Sequence, residues 1–158
     1  MYTLYYSPGT ASLAVHWMLI HLNTPFSLRL VDFAANAQKS PEYLAINPSG
    51  HVPALVVDGK PHAECAALLM LLAERHADAG LEPVPGTPER ADYLLGNRLS
   101  AVDFLATMLT RWSRNMPKPA TQFPHLLPYI NQMRSLNSLQ EVHAREGLTD
   151  WITPAAAV

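Results

Sequence analysis

The chain has one cysteine, Cys65, among 158 residues. One thiol cannot make an internal disulfide, a Cys-x-x-Cys redox pair or a thiolate-rich zinc site. The histidines also lack metal-binding spacing, since His16 and His21 lie on different faces of one predicted helix. We therefore predict no metal site, and a single reduced thiol favours a cytoplasmic location.

Charged residues are scarce, at 15% of the chain, and the formal net charge is −2. Lys and Arg are scattered, so no basic stripe would collect phosphates, and we expect no nucleic-acid partner. No Lys or Arg precedes Arg29, and the longest apolar run, Cys65–Ala73, is far shorter than the ~20 residues that cross a bilayer. We expect neither export nor membrane insertion, and a small neutral or anionic ligand fits this charge balance.

The first half of the chain alternates strand and helix patterns. Tyr2–Tyr6 is rich in aromatic and β-branched residues and predicts a strand, and Ser12–Leu22 has apolar residues at helical spacing. Ser27–Val31 alternates apolar and polar residues and predicts a second strand. Ser40–Ile46 begins with Ser-Pro, which favours the start of a short helix.

A hairpin and an apolar helix are predicted next. Ala54–Val57 and Lys60–His62 flank Asp58-Gly59, which is a strong signal for a two-residue turn between antiparallel strands. Cys65–Ala73 is apolar all round, and this pattern predicts a helix that is buried on both faces.

The rest of the chain is predicted to be helical. It follows Asp78–Pro88, which is rich in proline and glycine and is the only plausible linker. Ser100–Asp103 has the pattern of a capping box. Pro124–Leu136 and Leu139–Glu146 predict two more helices, the second ending at Gly147. A stripe of apolar residues in the capped helix is predicted to face a core: Val102, Leu105, Met108, Leu109 and Trp112.

A Val-Pro bond at 52–53 stands directly before the third predicted strand. Proline removes a backbone donor and can hold a cis bond in a tight turn. We expect Val52 to turn outward, with its N–H and C=O freed from the sheet. An extended peptide could then pair with this backbone as an added strand does.

Three blocks of sequence carry a resemblance to a known family. They are Tyr-Tyr-Ser-Pro-Gly-Thr-Ala-Ser at 5–12, Asn-Pro-Ser-Gly-His-Val-Pro-Ala at 47–54 and Glu-Cys-Ala-Ala at 64–67. In order and spacing they resemble the glutathione S-transferase family, and the first is most similar to the bacterial cytosolic branch. The resemblance runs from Met1 to Leu94 and resumes from Gly96 to Trp151.

The resemblance implies an α/β N-terminal domain with a thioredoxin-like fold, in the order βαβαββα, followed by a reduced all-α C-terminal domain. We expect the glutathione-binding domain at 1–78, a linker at 79–88 and a truncated helical domain at 89–158. Between the segments 90–94 and 95–100, relatives carry a pair of long helices that this chain lacks. A compact variant, a degenerate gene product and a missing internal stretch each explain this gap.

Those helices build much of the family's electrophile pocket and dimer contact, so we expect this chain to lack part of both. We expect the apolar face of the helix at 101–112 to lose its covering, which would expose a patch or drive association. A homodimer is therefore a possible rather than a required assembly.

The family's chemistry requires ionisation of the glutathione thiol, whose free pKa near 8.5 leaves about 3% thiolate at neutral pH. A donor hydroxyl and a helix N-terminus both favour the anion. Ser12, helped by Thr10, is our candidate donor, because both lie between the first strand and the first helix. Ser12 could instead only cap that helix. Ala11 stands where the bacterial branch has a cysteine, which excludes covalent thiol chemistry there.

The remaining binding residues are implied by similarity. Val52, beside Pro53, would pair with the cysteinyl part of glutathione, while Glu64 and Cys65 would hold the γ-glutamyl amine and carboxylate. The family has Ser at position 65, and a thiol is the weaker donor. Cys65 could alternatively be a reactive thiol whose pKa is lowered by the helix end. The glycyl carboxylate would be held by Gln38, Lys39 and His51.

Two functions follow from this resemblance. The first is an enzyme that uses glutathione as co-substrate, with no permanently bound cofactor, and attacks a small hydrophobic electrophile. The second is a non-catalytic protein of the same fold that keeps the peptide groove for binding or regulation. Resemblance of fold alone does not separate the two.

Overall fold

The structure is a computed structural model, and it describes residues 1–83 and 98–152. Its four strands are β1 (Tyr2–Tyr6), β2 (Phe26–Leu30), β3 (Ala54–Val57) and β4 (Lys60–Ala63). They form one mixed sheet in the order β2-β1-β3-β4, in which β1 is parallel to β2 and antiparallel to β3. The hairpin of β3 and β4 completes the sheet.

Helices alternate with these strands in the first half of the chain. They are α1 (Ser12–His21), α2 (Pro41–Leu44) and α3 (Cys65–Arg75). The resulting order, βαβαββα, confirms the expected thioredoxin-like domain. The described part of the second half is helical, with α4 (Ala101–Trp112), α5 (Leu127–Arg134) and α6 (Asn137–Arg145).

Local sequence signals explain where these elements begin and end. Asp58 and Gly59 both have positive φ, at 51° and 84°, as a tight two-residue hairpin turn requires. Ser40 caps α2, because its hydroxyl accepts the Tyr43 N–H at 3.2 Å. Gly147 has φ 66° and follows α6, which confirms the predicted glycine stop.

One hydrophobic core joins the two halves around α1. Eight of the ten residues of α1 are buried, and the helix packs against β1, α3, α4 and α6. The ring centroids of Trp17 and Phe104 are 4.3 Å apart, and both residues are almost fully buried. The second half is therefore packed directly on the first.

The predicted domain boundaries stay a prediction. Of the linker expected at 79–88, residues 84–88 lie outside the described residues, as does the junction up to residue 97. The described part is not solvent-exposed throughout, since Leu81 is 2% exposed and belongs to the main core. Its carbonyl accepts the N–H of Ala101 at 3.1 Å.

The prediction that α3 is buried on both faces was wrong. Only Leu68, Leu69, Leu72 and Ala73 are buried in this helix. The opposite side carries Met70, which is 49% exposed. A helix that is apolar all round offers no polar face to orient it, so the buried side is decided by contact with α1 and α4.

The predicted core stripe of α4 was wrong for most of its members. Val102 is 44% exposed, Leu109 50% and Trp112 37%, whereas Met108 is buried. The buried face is instead formed by Ala101, Phe104, Thr107, Met108 and Arg111. The exposed apolar residues give this helix a second apolar side, and whether the gap uncovers it stays a prediction. The capping box is present, because the Asp103 carboxylate accepts from the Ser100 N–H at 2.8 Å.

No helix among the residues that the structure describes is long and apolar enough to cross a membrane.

We predict that Phe104→Ala lowers the free energy of unfolding by about 3–5 kcal/mol, because it removes a fully buried ring from the core shared by both halves. Urea denaturation followed by circular dichroism measures the change. Phe123→Ala is the control, since Phe123 is 40% exposed and its loss should cost less than about 1 kcal/mol. Equal losses for the two variants would contradict the shared core.

Candidate ligand-binding site

The sheet register brings three separate segments to one end of the molecule. Tyr5 pairs with Ala54, and Ala54 pairs with Ala63. The carboxyl end of β1 therefore lies beside the amino end of β3 and the carboxyl end of β4. The loop 7–11, the turn 51–53 and the start of α3 therefore lie together at one end of the sheet, and we call the surface between them the crevice. A direct contact supports this, since the Cys65 Sγ donates to the Ala11 carbonyl at 3.4 Å.

The two candidate hydroxyls form a compact network at the end of β1. The Thr10 Oγ1 donates to the Ser7 carbonyl at 2.6 Å and lies 2.9 Å from the Ser12 Oγ. The Ser12 Oγ accepts the Ser7 N–H at 3.2 Å and lies 3.1 Å from the Ser7 carbonyl. Each hydroxyl has one proton, so both donors are engaged within the loop.

The two hydroxyls differ in accessibility. Ser12 is fully buried, whereas Thr10 is half-buried. Ser12 does not cap its helix either, because the N-cap position of α1 is Ala11 and no side chain makes a capping hydrogen bond there. The Ser12 hydroxyl instead ties the start of α1 back to β1. The alternative interpretation of Ser12 as a helix cap was therefore wrong.

The backbone at the start of α1 offers a donor that the hydroxyls do not. No hydrogen bond among the described residues uses the N–H of Ala11. This N–H lies at the N-terminal end of a ten-residue helix, where the helix dipole favours negative charge. An anion in the crevice would meet this N–H.

The Val52–Pro53 peptide bond is cis, as the sequence allowed. The Val52 side chain is 8% exposed and packs with Val31 and Ala54, so the expectation that it turns outward was wrong. The backbone of Val52 was expected to be free of the sheet. Within the described ranges no hydrogen bond uses its N–H or C=O. Both groups are available to an extended partner.

The preceding residue is held rigidly. The His51 carbonyl accepts from the Tyr43 hydroxyl at 2.6 Å and from the Asn47 side-chain amide at 2.7 Å. Burial raises the pKa of Tyr43 to about 12, so this hydroxyl stays a donor at neutral pH. The His51 side chain itself is exposed.

Two of the predicted polar residues lie beside this turn. Gly50 has φ 67°, and a Cβ there would lie 3.0 Å from the Gln38 carbonyl oxygen and 3.2 Å from the Lys39 Nζ. Gly50 therefore permits the close approach of the 38–39 segment. The Gln38 Oε1 is buried and has no hydrogen-bond partner among the described residues.

Glu64 adopts an unusual backbone conformation at the start of α3. Its φ is 72° and its ψ is 104°, and its side chain is exposed. A non-glycine residue in this region is strained by about 1–3 kcal/mol, and such strain is concentrated at functional sites.

Cys65 follows Glu64, and its thiol is not activated. Burial, and to a smaller extent the Glu64 carboxylate, raises the pKa of Cys65 to about 12. The alternative in which the helix end lowers this pKa to make a reactive thiol was therefore wrong. Burial is the larger cause of the raised pKa, and the sulfur lies against the loop before α1, where it donates to the Ala11 carbonyl.

Three residues that were not predicted from the sequence hold the backbone of Gly9. Its N–H donates to the Glu146 Oε2 at 2.8 Å, and its carbonyl accepts from the Arg111 Nη1 at 3.3 Å and the Trp112 Nε1 at 3.2 Å. Arg111 and Glu146 are both buried. The charge of Arg111 within the largely apolar segment 104–112 was the available signal, since buried charges require specific partners.

No group of three or more His, Cys, Asp or Glu side chains in the described ranges could hold a metal ion.

Residues 10–75 match the family model for the glutathione S-transferase N-terminal domain. A glutathione S-transferase from Xanthomonas campestris is 45% identical over 78 residues, which cover 49% of this chain and 37% of the relative. The Escherichia coli O157:H7 glutathione S-transferase GstA is 38% identical over 80 residues, covering 49% and 40%. The matched segment thus spans about two fifths of the length of these relatives.

Solved structures share the fold over most of the chain. A glutathione transferase homologue from Sulfitobacter with bound glutathione superposes with a TM-score of 0.81 at 25% identity, covering 92% of this chain and 98% of the other. A sphingomonad glutathione S-transferase complexed with glutathione gives a TM-score of 0.80 at 23% identity, covering 93% and 100%.

We predict that the Cys65 thiol of the folded protein reacts slowly with iodoacetamide. A pKa near 12 instead of the ordinary 9 keeps the thiol protonated, so alkylation at pH 8 should be about 100-fold or more slower than in denaturant. The rate should rise as the pH approaches 12. Mass spectrometry measures it without ambiguity, because the chain has no other cysteine. Equal rates in the folded and unfolded chain would overturn this assignment.

Proposed function

We propose that the chain belongs to the glutathione S-transferase family, that it binds glutathione in the crevice and that it activates the glutathione thiol. Its similarity to this family supports a glutathione transferase-type function. The observation that carries the proposal is that, within the described residues, no hydrogen bond uses the backbone of Val52 or the N–H of Ala11. The sheet register brings the segments of both residues to the same end of the molecule.

The three parts of glutathione would occupy different sides of the crevice. The cysteinyl N–H and C=O would pair with Val52, whose backbone is kept in place by Pro53. The Glu64 carboxylate and the N–H of Cys65 would receive the γ-glutamyl amine and carboxylate. The glycyl carboxylate would be held by Lys39, His51 and the amide of Gln38.

The sulfur would then lie against the start of α1. Thr10 is the better direct donor of the two predicted hydroxyls, since it is half-buried and Ser12 is fully buried. If the Thr10 hydroxyl turns to the sulfur, the Ser7 carbonyl still accepts hydrogen bonds from the Thr10 N–H, 3.3 Å away, and from the Ser12 hydroxyl. Ser12 would support the loop. A donor hydroxyl and the helix dipole together favour the thiolate by about one to three pKa units.

The reaction is the attack of this thiolate on a small hydrophobic electrophile. The sulfur would form a bond to the electrophilic carbon, and the leaving group would depart with its electron pair. The ring of Trp112, 37% exposed beside the Gly9 carbonyl, offers an apolar face on which such a compound could rest. Association with a second copy of the chain would cover exposed apolar residues such as Met70, and a homodimer stays a prediction.

A non-catalytic glutathione-binding protein is the second candidate. The observation that favours it is the commitment of both hydroxyls to the Ser7 carbonyl, which leaves neither of them free to donate to the sulfur. A thermal shift titrated with glutathione and a conjugation assay with a chlorinated nitroaromatic separate the two candidates. Binding with turnover supports the enzyme, and binding without turnover supports the binding protein.

We predict that Thr10→Ala raises the pKa of the bound glutathione thiol by about one to two units, because it removes the donor hydroxyl. Thr10→Ser keeps the hydroxyl and should behave as the parent protein. Thiolate absorbance in the ultraviolet, measured against pH at saturating glutathione, reports the shift. Ser12→Ala should mainly lower the free energy of unfolding, by about 1–3 kcal/mol, since it breaks the bonds to Ser7. A larger thiol shift in Ser12→Ala than in Thr10→Ala would return the direct role to Ser12.

We predict that Glu64→Gly weakens glutathione binding by about 10-fold or more, because a charged hydrogen bond is lost. Its free energy of unfolding should not fall, since glycine relieves the strained φ of 72°. Glu64→Gln tests charge alone and should weaken binding without relieving strain. Isothermal titration calorimetry and urea denaturation measure the two effects, and unchanged affinity in both variants would remove Glu64 from the site.

A further inference from the structure

Gly9 is held on both sides of its backbone by residues from the far half of the chain. Its N–H donates to Glu146, which lies 137 positions later, and its carbonyl accepts from the side chains of Arg111 and Trp112. Its φ of 70° is one that glycine adopts readily. Gly9 immediately precedes Thr10, so the orientation of this peptide unit sets where the loop points.

The carboxylate of Glu146 has a second buried partner. Its Oε1 lies 2.8 Å from the His16 Nδ1, and both side chains have no exposed surface. A carboxylate only accepts, so the Nδ1 of His16 carries the proton of this bond. The carboxylate is thus fixed by two donors, one from the side of α1 and one from the loop. Burying a charge in this way costs free energy unless its geometry is well satisfied.

We infer that Glu146 is a positioning residue for thiol activation. By holding the Gly9 N–H, it sets the loop so that the Thr10 hydroxyl and the Ala11 N–H meet the sulfur. His16 holds the carboxylate in the required orientation. The inference rests on the proposed function, and it assigns to the residue directly after α6 a role in the chemistry of the first loop.

Another contact between the halves provides a matched control. The indole N–H of Trp17 donates to the Ser138 hydroxyl at 2.8 Å, and the His21 Nδ1 lies 3.2 Å from the same oxygen. This contact joins α1 to α6, as the pair of His16 and Glu146 does, but it does not touch the loop at Gly9. Ser138→Ala therefore weakens the packing of the halves without releasing Gly9.

The test compares variants by the thiolate absorbance of bound glutathione. Glu146→Leu removes the acceptor at similar volume, and it should lower the thiolate fraction about 10-fold at a pH below the thiol pKa, with glutathione affinity changed less than about threefold. Glu146→Gln should retain most of the signal, since its amide oxygen still accepts from Gly9 while His16 changes tautomer. Ser138→Ala should leave the thiolate fraction unchanged although it also loses stability.

Any other outcome would refute the positioning role, the proposed function or both. A wild-type thiolate signal that persists in Glu146→Leu, or that falls equally in Ser138→Ala, would refute the positioning role and leave the proposed function standing. No thiolate in the wild-type protein would refute both. If Glu146→Leu does not fold, Glu146→Asp replaces it, because the shorter side chain keeps the buried charge and withdraws the acceptor from Gly9. An unchanged thiolate fraction in that variant would likewise refute the role.

Discussion

The burial of α1 on all its sides is the constraint on which the rest of the structure depends. Residues from Ser12 to Leu19 are buried without interruption, so the helix is enclosed by the sheet and by helices from both halves of the chain. The two ends of the helix are less buried, since Ala11 before it and Ile20 and His21 at its close are half-buried. Within the described residues the N–H of Ala11 makes no hydrogen bond, and the loop before it borders the crevice.

This arrangement links stability to chemistry. The loop of Gly9 and Thr10 has little freedom, because β1 holds it through Ser7 and the helical half holds it through Glu146 and Arg111. Under the proposed function, a rigid loop would keep donors oriented towards the negative charge that develops on the thiol and would reduce reorganisation as the thiol ionises. The helical half therefore contributes to the crevice through hydrogen bonds to the loop backbone, in addition to packing on the shared core.

Local patterns predicted the first half of the fold and several element ends closely. The turn at Asp58-Gly59, the cap at Ser40 and the glycine stop at Gly147 are each decided by residues a few positions apart, so they were correct. The faces of α3 and α4 were predicted less well. Apolar residues occur on more than one side of both helices, and periodicity alone does not say which side a neighbouring helix covers. Arg111 shows the difficulty, since a charged residue occupies the buried face of α4.

By itself, the sequence determined the order of strands and helices, their approximate limits and the three blocks that surround the crevice. These features depend on backbone preferences and on spacing along the chain. Only the tertiary structure decided that the Ser12 hydroxyl is consumed by Ser7, that the Val52 side chain turns inward while its backbone stays unpaired, and that Glu146 reaches Gly9. The physical reason is that each of these depends on how buried elements rotate and pack against one another. Contacts between residues more than 100 positions apart leave no periodic signal in the chain.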